Sequence, residues 1–307
     1  MKTGALTRDE LAGSVVAVPP LCRGVDGRIN RGENGKLIRH LEGGGVRHLL
    51  YGGNANVYHM PLSEYAEFLD VVAGEAGDET AVVPAVGPAW GMMMDQAKEL
   101  KGRGFASVMV LPHQGITSDE GVATGIRRFA EALGEPVVVY LKYEGYLDVA
   151  GVKGLVEDGV VSWIKYAVVR DDPRVDGYLS ELVEVIDPGM MISGIGEQPA
   201  IVHMRDFGCL GYTSGCVCVA PGLSTAMLRA VRAGDFEEAE RIRGVFEGLE
   251  DLRNDINPIR VLHDAVGLAG VAETGPLMPL LSNLGERDLG RVKEAAVALL
   301  GVEAGVG

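Results

Sequence analysis

Short apolar runs alternate with longer amphipathic stretches along most of this chain. The first run is Ser14-Val-Val-Ala-Val18, stopped by Pro19-Pro20. His48–Tyr51, Ala81–Ala85, Ser107–Leu111, Pro136–Leu141, Val161–Val169, Gly189–Ser193 and Leu210–Thr213 follow. These runs are continuous in apolar character rather than alternating, as in strands of a parallel sheet covered on both faces. Between them lie helical stretches with recognisable boundaries. Thr7-Arg-Asp-Glu10 reads as a capping box, and Gly43-Gly-Gly45 stops the helix that begins after Asn30. Further helices are expected over 118–133, 148–157 and 198–207, with Pro173 opening the sixth and Asp171-Asp172 capping it.

Eight strand–helix units in succession predict an α/β fold of the (β/α)8 TIM-barrel type. An open doubly wound sheet is the alternative. It would carry a Gly-rich dinucleotide loop after the first strand, where this chain has Pro19-Pro20-Leu21-Cys22. Beyond residue 235 the pattern is purely helical. The expected division is therefore a barrel over 1–234 and a C-terminal helical region over 235–307, packed on the barrel.

Composition narrows the function classes. The 307 residues include 28 Lys and Arg against 43 Asp and Glu, a net charge of -15. With no basic block, the chain is not expected to bind nucleic acid or an anionic membrane surface. No apolar run reaches the length of a membrane span, and the first ten residues lack the apolar core of a signal peptide. A cytoplasmic location is the expectation. Cys22, Cys209, Cys216 and Cys218 have no CxxC spacing and read as buried free thiols. The histidines show neither HxxxH nor HxH spacing, so no metal site and no cofactor is expected.

Barrel enzymes place their chemistry at the C-terminal ends of the strands. That rule selects Gly53 and Asn54 after the second strand, and His113 after the fourth. It also selects Tyr140 and Lys142 at the fifth, Lys165 at the sixth, Ser193 and Gly194 at the seventh, and Thr213 at the eighth. Lys165 is the most telling. An ammonium ion in an apolar strand is costly to bury, and a lysine that loses its proton there becomes a nucleophile for carbonyl carbon. Tyr140, on the neighbouring strand at similar height, could shuttle protons. Lys142 shares a face with Tyr140 and is a rival nucleophile.

These residues resemble the dihydrodipicolinate synthase/N-acetylneuraminate lyase family of Schiff-base aldolases. The resemblance rests on Tyr140, Ile164-Lys165, Ser193-Gly194, Asn257-Pro-Ile-Arg260 and Gly275-Pro-Leu-Met-Pro-Leu280. It implies that Lys165 forms an imine with pyruvate or another 2-oxo acid and that Tyr140 relays protons. It implies that Gly53, Asn54 and Ala55 hold the carboxylate, that Thr213 faces bound pyruvate, and that the chain assembles as a homotetramer. There are departures. The turn after the second strand reads Gly53-Asn-Ala-Asn-Val57, without the family's relay hydroxyl and glutamate. Pro112-His113-Gln114 replaces the family's Pro-Tyr-Tyr, and Leu141-Lys-Tyr-Glu-Gly145 lacks the arginine that grips the second substrate. The expectation is a lyase, aldolase or dehydratase of the imine class. The alternative is a catalytically impaired barrel that binds a 2-oxo acid or sugar acid as a sensor.

Overall fold

The structure, a computed structural model, describes residues 1–305; the last two residues of the expected C-terminal region lie outside it. Eight parallel strands close into a barrel in sequence order. They are β1 (Val16–Ala17), β2 (His48–Tyr51), β3 (Ala81–Val86), β4 (Met109–Val110), β5 (Val137–Leu141), β6 (Val161–Tyr166), β7 (Met191–Ser193) and β8 (Gly211–Ser214). β1 closes the ring, with Val16 paired to His48 of β2 on one side and to Thr213 of β8 on the other.

α1 (Arg8–Ala12) precedes the barrel and uses the Thr7–Glu10 capping box. The outer layer is α2 (Arg31–Gly43), α3 (Leu62–Glu75), α4 (Trp90–Leu100), α5 (Asp119–Leu133), α6 (Val149–Glu157), α7 (Gly177–Val185), α8 (Ala200–Asp206) and α9 (Pro221–Ala233). Its boundaries follow local chemistry. Ser118 caps α5, and Gly134 ends it in the left-handed conformation at φ 87°.

One boundary differs from the sequence expectation. The helix after β6 does not open at Pro173, and Asp171-Asp172 do not cap it. The cap is Asp176, whose side chain accepts from the Leu179 N–H at 3.0 Å. Asp172 is instead spent on Arg174, which it meets at 2.9 Å through two guanidinium nitrogens.

Three further helices, α10 (Phe236–Asp255), α11 (Pro258–Leu268) and α12 (Glu286–Ala304), pack against the barrel's α9 side and against one another. Carboxylates pin them in place. Glu303 near the end of α12 accepts the Gly222 and Leu223 N–H groups at 2.6 and 2.8 Å, covering the N-terminal turn of α9. Among the described residues no helix is long and apolar enough to cross a membrane. All four cysteines are free and buried.

The pairing register decides which side chains enter the barrel. Lys165 of β6 lies level with Tyr140 of β5 and Ile192 of β7, whereas Tyr166 lies level with Leu141 and Ser193. Alternate residues on a strand face opposite sides. The Tyr166 hydroxyl donates to Asp176, the cap of α7, at 2.6 Å, so its row faces the helices. The Lys165 row faces the interior.

Candidate active site

A cavity of about 410 Å3 opens at the C-terminal ends of the strands. Its walls combine the ends of the barrel strands with α10 and α11. Gly53, Asn54, Tyr140, Lys142, Lys165, Gly194 and Thr213 line it, so seven of the residues selected from sequence meet there. The register explains the meeting, since Tyr140 and Lys165 are inward neighbours and Thr213 is inward on β8.

Lys165 is buried, and its Nζ lies 4.6 Å from the centroid of the Tyr140 ring. Burial, assisted by the charges of Lys142 and Arg253, lowers its ammonium from the ordinary 10.5 to about 7. A substantial fraction is therefore free amine near neutrality. Among the described residues it has no carboxylate partner. Tyr140 is shifted the other way: burial first, then the Tyr143 phenol, raises it above the ordinary phenol range. It stays protonated and available as a donor.

Gly194 makes room for the lysine. A methyl group at its α-carbon would lie 2.7 Å from the Ala167 Cβ and the Tyr166 carbonyl, and 3.0 Å from the Lys165 Cγ. Gly194→Ala is therefore expected to shift the lysine stem and lower turnover about tenfold, with a stability loss of about 1–3 kcal/mol. Steady-state kinetics beside urea unfolding checks this. Wild-type turnover in the variant would show that the lysine's position does not depend on this contact.

The turn after β2 runs Gly53-Asn-Ala-Asn and enters a single 3-10 turn, Val57–His59, through Asn56 in the left-handed conformation at φ 62°. The backbone N–H groups of Asn54 and Ala55 have no hydrogen-bond partner among the described residues. Consecutive unpaired N–H groups, the first of them on a residue that lines the cavity, suit an anion. The Asn54 side chain is already committed, its Nδ2 donating to the Val18 carbonyl at 2.9 Å.

Three of the selected residues lie elsewhere. Ala55 is buried and does not line the cavity. Ser193 sits on the outward row of β7, with its hydroxyl 2.8 Å from the His203 Nδ1. His113 lines a separate cavity of about 420 Å3, between the loop after β3 and α5. Its strand ends at Val110, and the loop beyond has left the barrel mouth.

Tyr58 and Arg253 are among the cavity residues that went unselected in the sequence. Tyr58 comes from the 3-10 turn, and its phenol is raised well above the ordinary range by burial, then by the phenols of Tyr140, Tyr143 and Tyr146. Arg253 comes from the last turn of α10, and only the C-terminal helices' packing brings it to the strand ends. Behind it lies a buried acidic pair. Glu250 accepts from the N–H groups of Glu197 and Gln198 at 3.0 and 2.9 Å and from Arg253 at 3.3 Å. Glu197 accepts from Ser214 and Ser224 at 2.8 and 2.7 Å. These carboxylates and Cys216 lie within 4.8 Å of one another, which is metal-ligand spacing. All four carboxylate oxygens already have hydrogen-bond donors, so the cluster reads as a support for Arg253.

Comparison with known proteins settles the family. A family model described as the dihydrodipicolinate synthetase family matches residues 14–295. The chain belongs to this family of lyases. A probable 5-dehydro-4-deoxyglucarate dehydratase from Streptomyces coelicolor is 21% identical over 244 residues, covering 77% of this chain and 74% of the relative. A 4-hydroxy-tetrahydrodipicolinate synthase from Chlorobium limicola is 23% identical over 233 residues, covering 72% and 75%. The crystal structure of a dihydrodipicolinate synthase from Bacillus clausii superposes with a TM-score of 0.82 at 22% identity, covering 94% of this chain and 98% of that one. At that identity the superposition speaks for the shared barrel alone.

Proposed function

We propose that this member of the dihydrodipicolinate synthetase family is a cofactor-free class I lyase that joins Lys165 to pyruvate or another 2-oxo acid as an imine. The supporting observation is a buried lysine, lowered to about 7 and set against a protonated tyrosine, at the floor of an open cavity. In this reading the Lys165 amine attacks C2 of the 2-oxo acid, whose carboxylate sits on the Asn54 and Ala55 N–H groups. The carbinolamine loses water, and the resulting iminium draws electrons from C3. Loss of a C3 proton gives an enamine. The enamine adds to an aldehyde, or the reverse step cleaves the bond, or a hydroxyl one carbon further on departs as water. Hydrolysis then restores the lysine. Relatives named as a synthase and as a dehydratase support both addition and water loss as outcomes. The homotetramer implied by the family resemblance belongs to the same proposal.

Tyr140 protonates the carbinolamine hydroxyl as water leaves. Tyr58 takes the part of the missing relay hydroxyl, passing the proton between Tyr140 and the cavity. Tyr58→Phe is accordingly expected to lower turnover about tenfold, within the range for one general acid–base group, while an imine still forms. Equal turnover in Tyr58→Phe and wild type would remove Tyr58 from the relay.

The direct test is sodium borohydride reduction in the presence of pyruvate and then of longer 2-oxo acids, read by intact-protein mass spectrometry. A reduced adduct on the cavity lysine is the expected result. No adduct with any member of the series would overturn the imine. Adducts without turnover across a panel of aldehydes and sugar acids would favour a sensor over an enzyme.

A further inference from the structure

The charges around this cavity are at odds with those of the whole chain. The protein carries a net charge of -15, yet among the described residues no aspartate or glutamate lines the cavity. Lys142, Lys165 and Arg253 do. Lys165 stands on β6, Lys142 just past the end of β5, and Arg253 reaches in beside the turn that follows β7. Two cations thus flank the lysine on its neighbouring elements. A 2-oxo acid bound as proposed above places its one carboxylate at the Asn54 turn after β2. That leaves Lys142, and the part of the Arg253 guanidinium that does not meet Glu250, without a substrate anion.

Neither cation is fully committed within the chain. Lys142 makes no ion pair among the described residues; its Nζ lies 5.6 and 6.0 Å from the ring centroids of Tyr143 and Tyr58. Arg253 donates through Nε to the Asn254 Oδ1 at 3.1 Å, through Nη1 to Glu250 at 3.3 Å, and through Nη2 to the Ile195 carbonyl. A guanidinium has five N–H donors, so two are left over. These contacts fix the guanidinium without using it up. Gly196, at φ 103°, keeps the approach open, because a methyl group there would collide with Glu250 and lie 2.6 Å from the Arg253 Nη1. Burial and the neighbouring Glu197 also push the Glu250 carboxyl toward its neutral form, which weakens the compensation of the guanidinium. A buried arginine that donates once through each of its three nitrogens keeps one free N–H on Nη1 and one on Nη2, which suits it to charge-assisted recognition of a carboxylate.

We propose that Arg253 and Lys142 form a second carboxylate subsite, so that the substrate, or the aldehyde partner in an addition, carries a carboxylate besides that of the 2-oxo acid. The inference rests on the imine reading for the placement of the first carboxylate. It moves the second-substrate grip from the loop after β5, where the sequence lacks an arginine, to α10. The two spare guanidinium N–H groups and one ammonium together offer the donors that two carboxylate oxygens need.

The test compares two five-carbon 2-oxo acids by calorimetric titration, 2-oxoglutarate with a terminal carboxylate and 2-oxopentanoate without one. Wild type is expected to bind 2-oxoglutarate at least about tenfold more tightly, the scale of a charge-assisted contact. The double variant Glu250→Gln with Arg253→Gln removes both members of the internal pair and strands no charge. It is expected to lose that preference, the ratio of the two affinities falling to about one. Lys142→Met, which breaks no hydrogen bond in the protein, is expected to reduce the preference severalfold and serves if the double variant does not fold. Equal affinities in wild type, or a preference unchanged in the variants, would overturn the subsite. An analogue ending in a phosphonate that binds more tightly than 2-oxoglutarate would overturn the carboxylate class. Borohydride reduction of the same samples separates the two ideas. A charge preference without adduct removes the imine and keeps the subsite, and an adduct without charge preference does the reverse.

Discussion

Lys165→Ala is expected to lower turnover by at least about a thousandfold, the scale on which loss of a covalent nucleophile acts. The same change should abolish the borohydride-reduced adduct. The wild-type enzyme should also show a distinctive pH dependence. In the proposed mechanism the nucleophile is the free amine, and burial lowers its ammonium to about 7. Adduct formation should fall about tenfold per pH unit below that value and level off above it. An ordinary exposed lysine would keep rising to about pH 10. Stability moves in the same direction. Between pH 7 and 10.5 the unfolded chain holds a proton that the folded lysine has released, so folding is favoured as pH rises through that window. Below pH 7 both states hold the proton and the burial penalty is complete. Lys165→Met keeps most of the side-chain volume without the amine. It should be at least as resistant to urea as wild type at pH 7, although inactive. Full activity in Lys165→Ala would dismiss the mechanism.

Tyr140→Phe is expected to lower turnover by about a hundredfold to ten-thousandfold, the range of a positioned general acid–base group. The ring against Lys165 remains, so the environment that lowers the amine changes little. Binding of the 2-oxo acid should be largely kept, and the slow step should become water loss from the carbinolamine. Rapid-quench trapping gives the readout: the reducible adduct should accumulate much more slowly than in wild type, to a similar final level. Unchanged turnover would exclude Tyr140 from the mechanism.

The barrel, and the pairing of Lys165 with Tyr140 in the candidate site, were legible in the sequence for one physical reason. Continuous apolar strands and the strand-end rule depend on neighbours in the chain and on periodicity, and Lys165 and Tyr140 stand out against that background. Ser193 was misplaced by a single step of alternation, which strand-end position alone cannot resolve. His113 was selected by the same strand-end rule, but β4 ends at Val110 and the loop beyond carries it to a separate cavity. Arg253 gave no sequence signal, since an arginine near the end of an acidic helix reads as a solvated face. Only the packing of α10 against the turn after β7 makes it a cavity residue. The cap of α7 was missed because Pro173 and two aspartates offered a better local signal than Asp176, which gains its role from Tyr166 and Arg170.

The shortness of β1 bears on how the chain is made. As it leaves the ribosome, the outer edge of β1 waits for β8, and Val16 stays unpaired on that side until Thr213 has been synthesised. An open strand edge of ordinary length is a template for pairing with other nascent chains. This one spans only Val16–Ala17 and is followed at once by Pro19-Pro20, which cannot extend a ladder. The strand that must stand open longest during translation is thus among those that offer a passing chain the fewest hydrogen bonds.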